Sequence, residues 1–195
     1  MDQTVKIYIT VRDSALTTEQ LLTRFGRQYC GELGICLGDD AFAVERTVLG
    51  KPFFPCLPGV HTSVSHSGAY FVCAFSPVPV GIDLQQCACE KNEMDRHLAL
   101  AKRYFSEREQ RWMAEDPSVR FFQLWTARES FVKMTGQGIG KGFSRLCMLP
   151  EGRMVGEAWE WESSLGCFRQ ACCPEGYLLS LCSETPVNWQ INSVE

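Results

Sequence analysis

The sequence LWTARESFVKMTG, residues 124–136, is the stretch from which both the fold and the functional site of this chain can be inferred. It predicts an apolar helix that ends at Gly136. Glu129 and Lys133 lie four residues apart, so both side chains project from one face of that helix. An exposed Glu–Lys pair at this spacing is usually a weak surface ion pair, worth about 0.3–0.5 kcal/mol. Here the neighbouring residues are apolar, which favours a buried helix that brings a carboxylate and an ammonium to one wall of a cleft.

A second acidic residue, Asp83, lies near the end of the apolar segment PVGIDL, residues 79–84. By itself an Asp at the end of a strand is ambiguous, because such residues often form turns through their own side chains. Together with Glu129 and Lys133 it supplies what a metal–phosphate site needs. Carboxylate oxygens bind a hard cation, and a fixed positive charge binds phosphoryl oxygens. The two segments therefore predict a phosphoryl-transfer site.

The composition is that of an ordinary globular protein, with 195 residues, 45% hydrophobic and 22% charged, and a formal net charge of -4. This acidic balance argues against a nucleic-acid binder, which would have to neutralise phosphates. No apolar run approaches the ~20 residues of a membrane helix. The first residues lack the basic start and apolar core of a signal peptide. We therefore expect a cytoplasmic protein without nucleic-acid or membrane partners.

Most of the eleven cysteines are predicted to be small buried hydrophobes, because they lie in strand-like runs such as those around Cys73 and Cys182. The C-x-C pair at 87–89 and the adjacent pair at 172–173 lack the C-x-x-C spacing of a structural zinc site. We therefore expect no structural zinc.

Hydrophobic periodicity predicts an α+β fold in which each half offers helical material followed by about three strands. The expected subdomains are two similar α/β units, residues 1–86 and 87–195. The predicted strands are 4–11, 61–65, 70–75, 80–84, 154–161, 167–172 and 177–183. The predicted helices are 18–33, 93–104, one that starts at the capping box of Ser106, and the helix of Trp125.

Five motifs occur in one order along the chain. They are GKP at 50–52, VSHSG at 64–68, GIDLQ at 81–85, FSERE at 105–109, and the helical stretch 125–138. This series resembles the 4′-phosphopantetheinyl transferases, in particular their long, surfactin-type, pseudo-dimeric branch. The resemblance covers roughly residues 50–140, and five motifs in sequence are far more specific than any one of them.

The resemblance implies transfer of the phosphopantetheine arm from coenzyme A to a serine of an acyl or peptidyl carrier protein. Adenosine 3′,5′-bisphosphate would be released. It also implies a monomer with two α/β subdomains related by a pseudo-twofold axis, with coenzyme A and Mg²⁺ in the cleft between them.

The resemblance assigns roles to individual residues. Asp83 and Glu129 match the family's metal-ligating acids, and Lys133 matches the lysine that contacts phosphate oxygens. Charge stabilisation is the expected role of Lys133, because a lysine near phosphates stays protonated. The proton of the acceptor serine would pass either to Glu129 or to a metal-bound water, and the sequence leaves both open.

Four further residues match the family's coenzyme A contacts. Ser65 and His66 match the Ser-His pair that touches its phosphates, and Lys51 and Pro52 match the turn that lies against its adenine. Without the resemblance, His66 would be interpreted as a structural histidine between two strands, and Lys51 and Pro52 as part of a loop.

The chain departs from the family pattern at three places. Gln85 stands where the second acid of the strand motif is expected. Its amide oxygen can still ligate Mg²⁺, but it brings no charge, so we expect weaker binding or a shift towards Mn²⁺. Arg128 replaces the usual Lys and keeps the charge with a different geometry. The family's basic cluster for the 3′-phosphate has no clear counterpart, and only Arg24 and Arg27 offer substitutes.

These departures leave an alternative open, namely a degenerate relative that binds coenzyme A or a carrier protein without transfer. Retention of Asp83, Glu129, Lys133 and His66 favours the active enzyme. The carrier is expected to dock near the second half, on an apolar patch with a basic rim at Arg103, Arg108 or Arg111.

Overall fold

The computed structural model describes residues 3–87, 91–138, 143 and 146–194. Its helices are α1 (Thr18–Glu32), α2 (Lys91–Tyr104), α3 (Glu107–Met113) and α4 (Pro117–Thr135), with a 3-10 turn at Asp39–Phe42. Its strands are β1 (Thr4–Val11), β2 (Glu45–Arg46), β3 (Pro52–Phe53), β4 (His61–Ser67), β5 (Tyr70–Ser76), β6 (Val80–Gln86), β7 (Arg153–Val155), β8 (Ala158–Ser163), β9 (Gly166–Cys172), β10 (Tyr177–Ser183) and β11 (Asn188–Val194).

Two sheets dominate the architecture. The first has the order β11-β1-β5-β4, with β1 parallel to β11 and the other pairs antiparallel. The second has the order β6-β10-β9-β8-β7 and is antiparallel throughout. Three strands of each sheet are arranged in an equivalent way, as β1-β5-β4 in the first sheet and β6-β10-β9 in the second. Along the chain, a helix follows β1 and another follows β6. This mixed architecture confirms the α+β class, while the pseudo-twofold axis stays a prediction.

Alternating side chains sort the strands into layers. Tyr8 and Phe71 of the first sheet pack against α1. Ile7 and Val72 point to the opposite face, where they meet Ile82 and other apolar residues of β6 and β10. Helices α2 to α4 cover the other face of the second sheet. The order of layers is therefore helix, sheet, sheet, helix.

The sheets do not follow the predicted division into residues 1–86 and 87–195. Strand β6 pairs with β10 in the second sheet, and β11 returns to pair with β1 in the first. Each sheet thus takes one strand from the other half of the sequence. Strand pairing alone does not define folding units, so the division itself stays a prediction.

Local signals explain most element boundaries. Thr17 and Gln20 form a capping box at the start of α1, and Ser106 and Glu109 form the predicted one at α3. Helix α4 ends at Gly136, which adopts a left-handed φ of 70° as C-cap.

Two strand predictions were incomplete. The single strand predicted at 154–161 is the hairpin of β7 and β8, and Gly156 has a positive φ of 62° in its turn. Strand β11 was not predicted. Cys73 and Cys182 are buried in the cores, as expected. The expectation that most cysteines are buried was wrong, because among the ten that the structure describes only these two and Cys30 are buried; Cys89 lies outside the described residues. Of the helices described, none has the length and apolar character to cross a membrane.

Helix α4 and strand β6 are in backbone contact at Gly81. A Cβ atom at this position would lie 1.9 Å from the carbonyl oxygen of Ser130 and 2.3 Å from the amide nitrogen of Met134. Only glycine permits this approach, which is the usual reason for glycine inside a strand. The contact sets Asp83 of β6 beside the face of α4 that carries Glu129 and Lys133.

A seam of serine hydroxyls joins the two sheets. Ser63, Ser65 and Ser67 alternate along β4, and their Oγ atoms accept hydrogen bonds from the amides of residues 82, 84 and 86 at 3.0, 3.2 and 2.9 Å. These amides face away from β10, so the serines satisfy the donors of an edge strand. The seam fixes β4 beside β6.

Arg128 of α4 is fully buried and does not line the cleft. Its Nη2 donates to both carboxylate oxygens of Glu109 at 3.0 Å and to the carbonyl of Leu146. Its Nε donates to the carbonyl of Phe143. Glu109 in turn accepts from the amide of Met148. An ammonium lacks the fork that reaches these partners together, so the Arg in place of Lys has a structural role here.

We predict that Gly81→Ala destabilises the fold by about 1–3 kcal/mol or more, because the added methyl must push β6 away from α4. Gly31→Ala in α1 is the matched control. No atom lies within 4 Å of a Cβ built at Gly31, so this helical change should be neutral or stabilising. Urea unfolding of both variants measures the difference, and equal stabilities would contradict the backbone contact.

Candidate functional site

A cleft of about 900 Å³ opens along the seam between the sheets. Strands β4 and β6 form its floor, α4 forms one wall, and α2 closes one end. Its lining residues are Thr18, Arg46, Val64, Ser65, His66, Ser67, Asp83, Gln85, Gln86, Glu93, Arg96, His97, Leu100, Phe121, Phe122, Trp125, Glu129 and Lys133. The structure therefore brings Asp83, Glu129, Lys133, His66 and Gln85 to one cavity.

Asp83 is the most buried acid of the site, at 1% exposure. Its Oδ1 accepts from Lys133 Nζ at 2.6 Å and from Ser65 Oγ at 2.8 Å, and Lys133 Nζ also reaches Ser65 Oγ at 2.9 Å. The three side chains thus form a closed triangle of hydrogen bonds. Charge-assisted bonds of this kind are shorter and stronger than neutral ones, so they fix the orientation of the Asp83 carboxylate.

Glu129 faces the cleft from α4 and is half-buried. Burial, reinforced by the nearby charge of Asp83, raises the pKa of Glu129 from 4.5 to about 7, and Lys133 opposes this shift. The carboxylate therefore lacks a counter-charge strong enough to offset its surroundings. Two carboxylates that repel each other electrostatically across one cleft are suited to share a hard cation.

Gln85 lies on the same side of β6 as Asp83, and its Nε2 donates to Asp83 Oδ2 at 3.2 Å. Because the amide nitrogen of Gln85 donates to Asp83, the amide oxygen of Gln85 is available to bind another partner. Among the described residues, no three His, Cys, Asp or Glu side chains come together as a metal cluster. The donor set is therefore two carboxylates and one amide, an incomplete oxygen shell that fits Mg²⁺ with phosphate oxygens and waters as its other ligands.

His66 is exposed on the cleft floor. Partial burial and the positive charges of Arg12 and Lys133 lower the pKa of His66. The ring is thus neutral at pH 7 and able to donate one N–H to an anion. Ser65, by contrast, is buried, and its hydroxyl is engaged by Asp83, Lys133 and the amide of Leu84.

Lys51 and Pro52 lie beside a second, smaller cavity of about 230 Å³, which Glu129 and Lys133 also border. The Lys51 ammonium donates to the backbone carbonyls of Val80 and Met134. The structure thus places Lys51 next to the site while directing its charge to the backbone.

Arg46, which sequence reasoning missed, lines both cavities from the short strand β2. It is exposed and paired with Glu19 at 2.6 Å. Neither Arg24 nor Arg27 is among the described residues that line these cavities. Arg24 lies over the ring of Phe25, and Arg27 lies over a ring and pairs with an acid. No sequence signal could have selected Arg46, because β2 has only two residues.

The end of the cleft formed by α2 and α4 is aromatic. The rings of Phe121 and Trp125 stack at 5.7 Å between centroids, and His97 stacks on Phe121 at 4.2 Å. Trp125 packs against the core but also lines the cleft.

Comparisons with known proteins agree with this geometry. The pattern of the 4′-phosphopantetheinyl transferase superfamily matches residues 79–181, just over half of the chain. 4′-Phosphopantetheinyl transferase psf-1 of Bacillus pumilus is 40% identical over 99 residues, covering 49% of this chain and 40% of that protein. 4′-Phosphopantetheinyl transferase Sfp of Bacillus subtilis strain 168 is 38% identical over 94 residues, covering 46% and 39%.

A third relative gives a longer match. 4′-Phosphopantetheinyl transferase gsp of Aneurinibacillus migulanus is 31% identical over 138 residues, covering 68% of this chain and 53% of that protein. The chain thus spans about half of the length of the relatives it matches, or less. The matched region contains Asp83, Gln85, Glu129 and Lys133, and these findings confirm the family predicted from the five motifs: the chain belongs to the 4′-phosphopantetheinyl transferase superfamily.

Proposed function

We propose that this protein transfers the 4′-phosphopantetheine arm of coenzyme A to a serine hydroxyl of an acyl or peptidyl carrier protein. The observation that carries the proposal is the convergence of Asp83, Glu129 and Lys133 on one cleft. Their Asp83–Lys133 contact of 2.6 Å joins two elements from opposite halves of the chain. The named relatives are phosphopantetheinyl transferases, which supports the same reaction.

Mg²⁺ would be bound by the carboxylates of Asp83 and Glu129 and by the amide oxygen of Gln85. When bound, the ion would polarise the phosphate under attack and offset charge on the leaving group. Lys133 Nζ lies beside these acids and is partly exposed to the cleft. Its ammonium is therefore placed to stabilise the charge of phosphoryl oxygens during transfer.

Two further N–H donors of the cleft suit the rest of coenzyme A. His66 and Arg46 line the same cavity as Lys133, and each presents N–H donors to an anion. Arg46 thereby supplies a positive charge on the N-terminal side that the sequence comparison with the family did not provide. Pro52 and Gly136 border the smaller cavity, which is consistent with an adenine lying against the GKP turn.

The expected basic rim for the carrier protein is exposed but already engaged. Arg108 pairs with Glu151 at 2.5 Å, and Arg111 contacts Glu107 at 3.8 Å. Exposed pairs of this kind are weak, so both cations remain accessible to an acidic partner.

Intact-mass analysis tests the transfer directly. We expect an apo acyl carrier protein or an apo peptidyl carrier protein to gain one phosphopantetheine group when incubated with this protein, coenzyme A and Mg²⁺. The gain should vanish with EDTA and with Glu129→Ala, since both remove the cation site. Leu98→Ala, at an exposed apolar residue of α2 outside the cleft lining, is the control and should retain transfer.

One outcome favours the alternative of a degenerate relative, which Gln85 motivates. If neither carrier gains mass while coenzyme A still raises the melting temperature of the protein, binding is retained and transfer is not. That result would reject the transferase for these carriers.

Gln85→Glu tests the weakened metal site. A third carboxylate beside Asp83 and Glu129 should lower the Mg²⁺ concentration that gives half-maximal transfer by several-fold, because each added charge strengthens binding of a hard cation. Gln86→Glu, the next residue of β6, is the matched control for added charge. An unchanged metal dependence in Gln85→Glu would count against Gln85 as a ligand position.

Glu129→Gln should stabilise the metal-free protein at high pH. Because the pKa of Glu129 is raised from 4.5 to about 7 in the folded state, folding becomes less favourable as pH rises through this window. The penalty is absent below the unfolded pKa and complete above the folded one. At pH 8 in EDTA the variant should be more stable by up to about 3 kcal/mol, with the gain fading towards pH 5. A gain independent of pH would refute this cause.

A further inference from the structure

The ammonium of Lys51 donates hydrogen bonds to two backbone carbonyls, one in β6 and one in α4, the two elements that carry the proposed metal ligands. Its Nζ donates to Met134 O at 2.7 Å and to Val80 O at 3.1 Å. Val80 begins the strand that carries Asp83, and Met134 lies in the last turn of the helix that carries Glu129. A single side chain therefore connects the starting point of β6 with the end of α4.

The electrostatics of this position favour a cation. The last carbonyls of a helix have no intrahelical donor and carry partial negative charge, and Met134 O is one of them. The contact at Gly81 brings the carbonyl of Val80 to the same place. An ammonium satisfies both oxygens, whereas an apolar side chain would leave them without a donor.

The stem of Lys51 is also fixed by packing. A Cβ at Gly136 would lie 3.4 Å from Lys51 Cδ, so the methylene chain runs over the C-cap of α4. Burial lowers the pKa of Lys51 to about 8, which leaves the ammonium mostly charged at neutral pH. The GKP turn thus meets α4 at its left-handed C-cap.

We propose that Lys51 is a positioning residue for the metal site. Its ammonium clamps the end of α4 to the start of β6 and so fixes Asp83 relative to Glu129 for cation binding. This inference rests on the proposed function, because it concerns the same site. It differs from the role implied by the family resemblance, in which Lys51 contacts coenzyme A.

Direct Mn²⁺ binding tests the clamp. Free Mn²⁺ is followed by electron paramagnetic resonance in titrations of the full chain without coenzyme A. Lys51→Met should raise the Mn²⁺ Kd about tenfold, the scale found when residues that orient metal ligands are lost. Charge alone predicts the opposite sign, since removing a nearby cation would tighten Mn²⁺ binding.

Arg46→Met is the matched control, because it removes another cation from the same hairpin. Its Mn²⁺ Kd should stay within twofold of the wild type. The two variants should also differ in transfer assays: at saturating Mn²⁺ the KM for coenzyme A returns to the wild-type value in Lys51→Met and stays raised in Arg46→Met.

The outcomes are distinct. An unchanged or lower Mn²⁺ Kd in folded Lys51→Met, together with a raised KM for coenzyme A at saturating Mn²⁺, overturns the clamp and makes Lys51 a direct ligand. Absence of Mn²⁺ binding in the wild type, both alone and with coenzyme A present to supply phosphate oxygens, overturns the metal site and with it the proposed function. If circular dichroism shows that Lys51→Met does not fold, Lys51→Gln is measured instead; its side chain is one atom shorter and carries no charge, so the Mn²⁺ Kd should still rise, by less than tenfold, and an unchanged or lower Kd would overturn the clamp.

Discussion

The contact between the backbones of β6 and α4 at Gly81 is the constraint on which the site depends. A strand and a helix normally keep a layer of side chains between them, and here that layer is absent at one point. Because Ser130 and Met134 occupy the space where a Cβ would stand, Asp83 is brought against the face of α4. Asp83 and Glu129 line one cleft because the backbones of β6 and α4 are in direct contact.

This proximity has a cost for the metal-free fold. Asp83 is buried and Glu129 half-buried on one cleft, and among the described residues Lys133 is the cation that pairs with Asp83 and opposes the raised pKa of Glu129. Natural proteins tolerate such local destabilisation at functional sites when the rest of the structure supports it. Here the rest of the structure contains three apolar cores and the buried pair of Arg128 with Glu109. The stability of the fold is concentrated around the site and is low within it.

The sequence predicted the features whose causes are local. Helix α4, its end at Gly136 and the shared face of Glu129 and Lys133 follow from spacing and capping, and the structure contains all of them. Asp83 was assigned to the site because its motif, GIDLQ, takes its place in the series of five motifs. Ser65 and His66 line the same cleft, although the hydroxyl of Ser65 faces Asp83 and Lys133, and their contact with coenzyme A stays a prediction.

What the sequence could not predict depends on contacts between distant residues. Strand β11 pairs with β1 across the whole length of the chain, and no local pattern specifies that return. Arg46 reaches the cleft only because a two-residue strand folds over it. The carbonyl partners of Lys51 likewise become visible only when α4 and β6 are placed together.

The serine seam has a consequence for how these proteins can change over time. A ladder of main-chain hydrogen bonds cannot be removed by replacing one side chain, because every residue except proline contributes the same groups. Between β4 and β6 the link consists of the hydroxyls of Ser63, Ser65 and Ser67. Each of these bonds is encoded by a single codon. The hydrogen-bonded link between β4 and β6 can therefore be strengthened or loosened by selection one residue at a time.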